Sequence, residues 1–531
     1  MKHFFGAMLD MSRNAVMKPS EVINYAKILK SFGYNMIQLY TEDTYEVKGE
    51  PYFGYLRGKY TTQELSFIVS ECEKIGVEVI PCIQTLAHLN QLLRWKDVYG
   101  KATDVGDILL VGEPRTYELI ENMFKSLRES FTSSYVHIGM DEAEMIGRGE
   151  YFNRNGYQDH LTILKTHLRK VIDIAQKYGF KPIMWSDMFF KLATGGAYYD
   201  VNANVTQEVK NAAPQEVGLV YWDYYHDDKE FYDGMFAAHK KFDNEIWFAG
   251  GAWTWTGFAP GNDYAMKTLF PALRSAKEQG VKNIMITLWG DNGKECSFYA
   301  VLPALYAAKR CYDGETDVEK IKAEFRAITG EDFDALRALD IPNYVGGNTS
   351  CLGNVSKHAL YSDPFNGFLD CVCTKEGVEE EYRQHAKTLA AFGEQSAYAY
   401  LFESAAALCS LMSLKYGLGV RTRKAYQAED KAGLRKIVTE YEQTLFKLEI
   451  FYQKYSALWY KENKASGFDI QDLRLGGLKQ RLCSCKLRLE EYLTGKLARI
   501  EELEEEILPY YQETDTPCYI GWDVNVSANR I

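Results

Sequence analysis

Residues 31–40 read SFGYNMIQLY, and the same grammar returns in KIGVEVIPCI (74–83), KYGFKPIMWS (177–186) and EQGVKNIMITLWG (278–290). In each stretch a helical pattern stops at a glycine and a short run of apolar, often β-branched residues begins. Glycine just past a helix takes the left-handed conformation that turns the chain into its next element. A run without polar alternation is what a strand buried on both faces requires. These four stretches therefore read as helix, turn, buried parallel strand.

Working outward, FFGAMLD (4–10), YVHIG (135–139), VGLVYWD (217–223) and EIWFAGG (245–251) bring the strand-like runs to eight. Helical patterns follow them, starting near Ser20, Thr61 and Pro114 and covering roughly 158–178 and 297–311. Eight β/α repeats predict an α/β chain whose residues 1–312 form a (β/α)8 TIM barrel. Beyond residue 312 the pattern changes. Stretches 377–426, 428–464 and 474–510 are rich in Ala, Leu, Glu, Lys and Arg, with Leu401, Ala405, Leu408 and Met412 at helical spacing. They predict a mostly α-helical C-terminal region over 313–531. EELEEEIL (501–508) reads as a solvated helix face, 340–375 as irregular, and CYIGWDVNVSAN (518–529) as a strand-like tail.

Composition narrows the function classes. The net charge of −12 argues against a nucleic-acid or anionic-membrane partner, which would need a basic stripe. No run of 18 apolar residues is present, so no membrane span is expected. The 11 cysteines form no CxxC pair, which points to reduced thiols. MKHFFGAMLD (1–10) lacks the apolar core of a secretion signal. A cytoplasmic location is the expectation. Aromatic residues make up 14% of the chain, and Tyr and Trp rings suit both a dense core and the faces of sugars.

A TIM barrel carries its chemistry at the C-terminal ends of its strands. Those ends hold Asp10 and Arg13; Glu42 and Asp43; Gln84 and His88; His137, Asp141 and Glu142; Trp185 and Asp187; Tyr221, Trp222 and Asp223; Trp253 and Trp255; Trp289 and Asp291. Neither a nucleophile elbow nor a phosphate loop occurs among them. Carboxylates and tryptophans converge, as glycoside cleavage requires: acid groups to protonate and to stabilise charge, flat rings for sugar faces. The sharpest signal is HIGMDEA (137–143). Neighbours in a strand point to opposite faces, so Asp141 and Glu142 share a pocket only if the chain leaves strand geometry just after Gly139. Two close carboxylates would then be pushed apart in pKa, one protonated and one ionised. The competing reading is an acidic helix N-terminus.

HIGMDEA resembles the His-x-Gly-Gly-Asp-Glu motif of glycoside hydrolase family 20, the β-N-acetylhexosaminidases. LDMSRN (9–14) is similar to the family's Leu-Asp-x-Ser-Arg, YWD (221–223) to Tyr-Leu-Asp/Asn, and LWGD (288–291) to Trp-Gly-Glu. IMWSD (183–187) is similar to Trp-x-Glu/Asp and TLAHL (85–89) to Pro-Gly-His. The six motifs run in family order over the barrel. Met140 departs from the second glycine, and Asp291 is one methylene shorter than the usual glutamate. With strand 1 starting near residue 4, the chain resembles the short, single-barrel members.

The resemblance implies an exo-acting enzyme that removes terminal non-reducing β-linked N-acetylglucosamine or N-acetylgalactosamine. It would do so with retention, through an oxazolinium formed by the substrate's own acetamido group. Glu142 would be the general acid, Asp141 the orienter of the acetamido N–H, and Tyr221 the donor to its oxygen. Arg13, His88, Trp185, Asp223, Trp253, Trp289 and Asp291 would bind the sugar, with Asp43 and His137 in the acid network. Neither a metal nor an organic cofactor is implied. The alternatives are a carboxylate-pair barrel glycosidase with an enzymic nucleophile and a non-catalytic sugar-binding barrel. Three roles are open to the helical region: a homodimer interface, part of the site's rim, or a brace for the barrel.

Overall fold

The computed structural model describes residues 3–508. The strand-like tail expected at 518–529 lies outside the described residues. Eight strands form in order: β1 Phe5–Asp10, β2 Met36–Tyr40, β3 Glu78–Cys82, β4 Tyr135–His137, β5 Lys181–Trp185, β6 Gly218–Trp222, β7 Ile246–Gly251 and β8 Asn283–Leu288. They close into one parallel barrel, with β1 pairing to β8 from Phe5↔Ile284 to Leu9↔Leu288. The expected barrel with a helical region after it is the fold of the chain.

Local chemistry explains the elements. Gly33, Gly76, Gly179 and Gly280, the four glycines of the recurring grammar, all have φ between 71° and 93°. Each ends a helix in the left-handed conformation and delivers the chain to the next strand. The helices between strands include α1 Pro19–Ser31, α2 Thr62–Lys74, α3 Pro114–Ser130 and α4 His160–Lys177. Thr61 starts α2 with a capping box: its hydroxyl accepts from the Glu64 N–H at 3.1 Å and the Glu64 carboxylate accepts from its own N–H at 2.8 Å. Asp159 caps α4 by accepting the Thr162 N–H at 2.9 Å.

The barrel interior is packed, with Met8, Met36, Ile80, Ile183, Trp247 and Met285 in one buried cluster. Side chains alternate along each strand, so this cluster sets the parity of every wall. Residues two or four positions further along the same faces, such as Asp10, Tyr40, Gln84, Trp185, Trp222 and Trp289, reach the C-terminal mouth. Short α5 Asp187–Thr194 and α6 Lys229–His239 follow β5 and β6.

The chain forms two compact units. One holds the barrel up to Ala252, with Ala265–Trp289 and Leu305–Ile321; the other holds Trp253–Tyr264, Gly290–Ala304 and the chain from Lys322 onward. The segments after β7 and β8 thus group with the C-terminal residues. Buried contacts inside the second unit pin them. Asn262 donates to Asp340 at 2.9 Å, and Glu295 sits between Lys357 at 2.7 Å and Arg474 at 3.1 Å.

The helical stretches are divided more finely than the sequence pattern. Stretch 377–426 is three helices, α7 Val378–Gly393, α8 Ala399–Lys415 and α9 Leu418–Gln427. Glu331 takes the Ala397 N–H at 2.9 Å in the first break, and Gly417 turns the second with φ 65°. After α10 Lys431–Glu462, α11 Phe468–Leu493 stops well short of residue 510. Gly495, with φ 76°, ends it, and the acidic run that follows holds a short 3₁₀ turn at Glu501–Leu503 instead of a helix face. The irregular stretch 340–375 contains one α-helical segment, Val355–Tyr361.

Candidate active site

The chain leaves strand geometry earlier than Gly139. β4 ends at His137, and Gly139, Met140 and Glu142 all take positive φ, at 69°, 69° and 51°. The left-handed conformation is costly for residues bearing a Cβ, and such strain concentrates at functional sites. Here it solves the parity problem, because it allows neighbouring Asp141 and Glu142 to serve one pocket. Gly139 has no alternative: a Cβ would lie 2.0 Å from the Gln84 side-chain oxygen. That oxygen accepts the Met140 N–H at 3.2 Å, and the Gln84 amide donates to Asp141 at 2.8 Å. The barrel wall therefore grips both the turn and its first carboxylate.

His88 joins the two acids. Its Nε2 lies 3.2 Å from Asp141 Oδ2 and 3.5 Å from Glu142 Oε2. Burial pulls the imidazole down, but Asp141 outweighs it and raises the pKa to about 10, so His88 is a cation at neutral pH. Burial likewise pushes Asp141 up, yet the His88 charge and the Gln84 hydrogen bond hold it below the usual carboxylate range. Glu142 moves the other way: burial, then the Asp141 charge, raise it. Its side chain is 50% exposed against 13% for Asp141, so the carboxyl that holds a proton more readily is the one open to solvent. One ionised carboxylate beside one proton donor is the division of labour that acid catalysis needs.

The rest of the mouth is built from strand ends. Arg13 lies 3.2 Å from Glu42, which accepts the Tyr40 hydroxyl at 3.0 Å. Asp43 instead faces Arg57 at 2.8 Å, so of the acidic neighbours it is Glu42 that shares Arg13 and Tyr40. His137 is buried against Trp185 with ring centroids 4.3 Å apart, and its Nδ1 accepts the Gly139 N–H at 3.1 Å. Burial lowers its pKa to about 3, so it is a neutral support for the turn. Trp185 and Trp289 lie 6.0 Å apart, and Trp289 meets Tyr40 edge-on at 4.8 Å.

Strand β6 requires a correction. Val220 faces the barrel core and Trp222 packs against it, so Tyr221 points outward. Its ring sits among Phe236, His239 and Phe248, at 5.3, 4.7 and 5.5 Å, and its hydroxyl donates to Asp223 at 2.8 Å. Tyr221 is thus not in the mouth. Asp223 accepts from Tyr221 and from the Tyr225 N–H at 3.0 Å, with His226 Nδ1 at 2.8 Å. Its carboxylate is spent on holding the 224–226 turn and is not offered to a ligand. The tyrosine that turn presents is Tyr224. It stacks on Trp222 at 5.5 Å, hydrogen-bonds Trp289 and Thr287, and feels the Asp141 charge.

Trp253 and Asp291 belong to the second compact unit. Trp253 is buried there, stacked on Trp255 at 4.2 Å, and its carbonyl accepts the Gly261 N–H at 2.8 Å. Asp291 opens a 3₁₀ turn, Asp291–Gly293. Among the described residues no three His, Cys, Asp or Glu side chains converge as a metal-binding group.

Comparison with known proteins agrees with this site. Residues 3–232 match the glycosyl hydrolase family 20 catalytic domain, and residues 331–520 match the glycoside hydrolase 20C C-terminal domain. The chain is 26% identical over 227 residues to human hexosaminidase D, covering 41% of this chain and 44% of that protein. It is 27% identical over 146 residues to a β-hexosaminidase of Akkermansia muciniphila, covering 24% and 29%. It therefore spans less than half the length of these curated relatives. The solved family 20 exo-β-N-acetylglucosaminidase of Vibrio harveyi, in complex with N-acetylglucosamine, superposes with a TM-score of 0.48 at 15% identity over 64% of this chain and 58% of that one. Two models of one family, a catalytic and a C-terminal one, together match most of the chain: it belongs to glycoside hydrolase family 20.

Proposed function

We propose that this chain is an exo-acting β-N-acetylhexosaminidase that removes terminal β-linked N-acetylglucosamine or N-acetylgalactosamine with retention of configuration. The observation that carries the reading is the Asp141–His88–Glu142 cluster, with its raised Glu142, lowered Asp141 and cationic His88. The acetamido carbonyl oxygen attacks C1 as the C1–O bond to the aglycone breaks, and Glu142 gives its proton to the leaving oxygen. Asp141 accepts the acetamido N–H and stabilises the positive charge of the oxazolinium. Water then attacks C1, yields its proton to Glu142, and the C1–carbonyl oxygen bond breaks. This chemistry is positioning plus electrostatic stabilisation.

Tyr224, not Tyr221, is the donor to the acetamido oxygen in this reading, and Trp185, Trp222 and Trp289 wall the sugar. Arg13, held by Glu42, binds ring hydroxyls. Motif resemblance alone supports Trp253 and Asp291 as further sugar contacts. The proposal includes a reducing, cytoplasmic setting, which the free thiols of the ten described cysteines support. Proton NMR of the first-formed product tests the reading. A β-anomer released from the non-reducing end is expected; an α-anomer, or internal cleavage, would contradict it. Glu142→Gln should lower kcat by roughly 10²–10⁴-fold on substrates with poor leaving groups.

A further inference from the structure

Asp187 stands just past the end of β5, one residue after Ser186, as the first residue of α5. Its side chain is fully buried, yet one carboxylate oxygen, Oδ1, has no hydrogen-bond partner. The other, Oδ2, accepts the backbone N–H of Glu142 at 3.0 Å and lies 3.4 Å from Lys191 Nζ. Lys191 in turn pairs with Glu144, on the far side of the same turn. A buried anion is expensive, and a buried carboxylate with an idle oxygen more so. Such a group calls for a role that repays the cost.

The role lies in the geometry of Glu142. With φ at 51°, Glu142 holds a conformation that costs a residue with a Cβ about 1–2 kcal/mol. Its N–H points to β5, which leaves its side chain free to swing toward His88 on the opposite side. We infer that Asp187 is a positioning residue for the catalytic acid: by taking the Glu142 N–H it locks the left-handed turn that aims the Glu142 carboxyl at the leaving oxygen. The inference rests on the proposed acid role of Glu142 and adds the residue that fixes its direction. Because the anchor acts on the acid and touches no sugar, its loss should fall on kcat and spare KM.

Asp187 is also a titrating anchor. The charged groups facing it are Asp141 and Glu142 from the β4 end and Lys191 from its own helix, with Glu144 beyond Lys191 and Tyr198 nearby. Burial, then Asp141, raise its pKa to about 7.

Two substitutions separate position from charge. Asp187→Asn keeps a carbonyl oxygen in place and removes the charge; Asp187→Glu keeps the charge and moves the acceptor by one methylene. On a chromogenic 2-acetamido glycoside, Asp187→Asn should retain kcat within about 5-fold and Asp187→Glu should lose about 30-fold or more, both with KM changed less than 3-fold. Equal losses in the two, a Glu variant better than the Asn variant, or a change confined to KM would overturn the inference. A second readout needs no substrate. In protein labelled with ¹⁵N-glutamate, the Glu142 amide resonance should move as pH passes through about 7 and should lose that movement in Asp187→Asn. A Glu142 amide that ignores pH in the parent protein would also overturn it. A parent protein that cleaves no acetamido sugar would sink the proposed function and leave the amide readout to decide this one.

Discussion

His88 Nε2 stands 3.2 Å from Asp141 Oδ2, with the half-exposed Glu142 carboxyl 3.5 Å from the same nitrogen. The cation holds Asp141 ionised while Glu142 stays raised. Replacing His88 with Ala removes the largest force lowering Asp141. The pKa of Asp141 should then rise, and the acidic limb of the kcat–pH profile should move to higher pH. A loss of about 10–100-fold in kcat is expected at neutral pH. An unchanged acidic limb would show that His88 does not set the charge of Asp141.

The outward turn of Tyr221 and the inward place of Tyr224 make opposite forecasts for a lost hydroxyl. Tyr224→Phe should lower kcat by about 10²-fold, the usual consequence of removing one donor to a developing charge. Tyr221→Phe should leave kcat within about 3-fold, and its effect should appear as a lower Tm, because a buried hydrogen bond to Asp223 contributes about 1 kcal/mol or more. The reverse ranking would restore Tyr221 to the site.

Gly139→Ala should be inactive beyond what its stability explains. The new Cβ would meet Gln84 at 2.0 Å, and the backbone would need φ 69° with a side chain attached. Gln84 must shift, and with it the 2.8 Å hydrogen bond to Asp141. A stability loss of about 1–3 kcal/mol and a kcat loss in the protein that still folds are expected. Circular dichroism melts alongside kcat per folded molecule would check both.

Stability should fall in acid through buried neutral histidines. His167 accepts from or donates to Tyr117 at 3.1 Å and Thr85 at 2.8 Å, and burial lowers its pKa to about 4. A folded pKa below the unfolded value of about 6.5 gives stability that is present above pH 6.5 and is lost as pH falls toward 4. Each such group adds at most about 1.4 kcal/mol per pH unit in that window. His167→Gln, which offers the same donor and acceptor without a titrating ring, should flatten the slope of Tm against pH between 6.5 and 4. An unchanged slope would assign the acid sensitivity elsewhere.

Much of this arrangement was legible in the sequence, and the places where it was not share one cause. The eight apolar runs and their leading glycines specified the barrel because a both-faces-buried strand leaves a strong local trace. The Asp141–Glu142 pair was legible for the same reason, since nothing else in HIGMDEA suits a strand end. Choices between adjacent residues of like chemistry were not. Tyr221 and Trp222 are both aromatic, so β6 carries no hydropathy signal for which one faces inward; the packing of Val220 settles it. Glu42 and Asp43 are both acidic, and only the reach of Arg13 and Arg57 separates them. Tyr224 and the buried Asp187 lie one or two residues past their strands, where alternation no longer applies. The helix boundaries near Gly417 and Gly495 were missed because the flanking segments share one helical composition.

The central claim is that the substrate's acetamido group does the work of a nucleophile. The direct test is hydrolysis of two chromogenic β-glycosides that differ only in a 2-acetamido or 2-hydroxyl group, with and without a thiazoline mimic of the oxazoline. The account predicts cleavage of the acetamido sugar alone and tight inhibition by the thiazoline. Equal cleavage of both glycosides, untouched by the thiazoline, would contradict it and require a nucleophile on the protein.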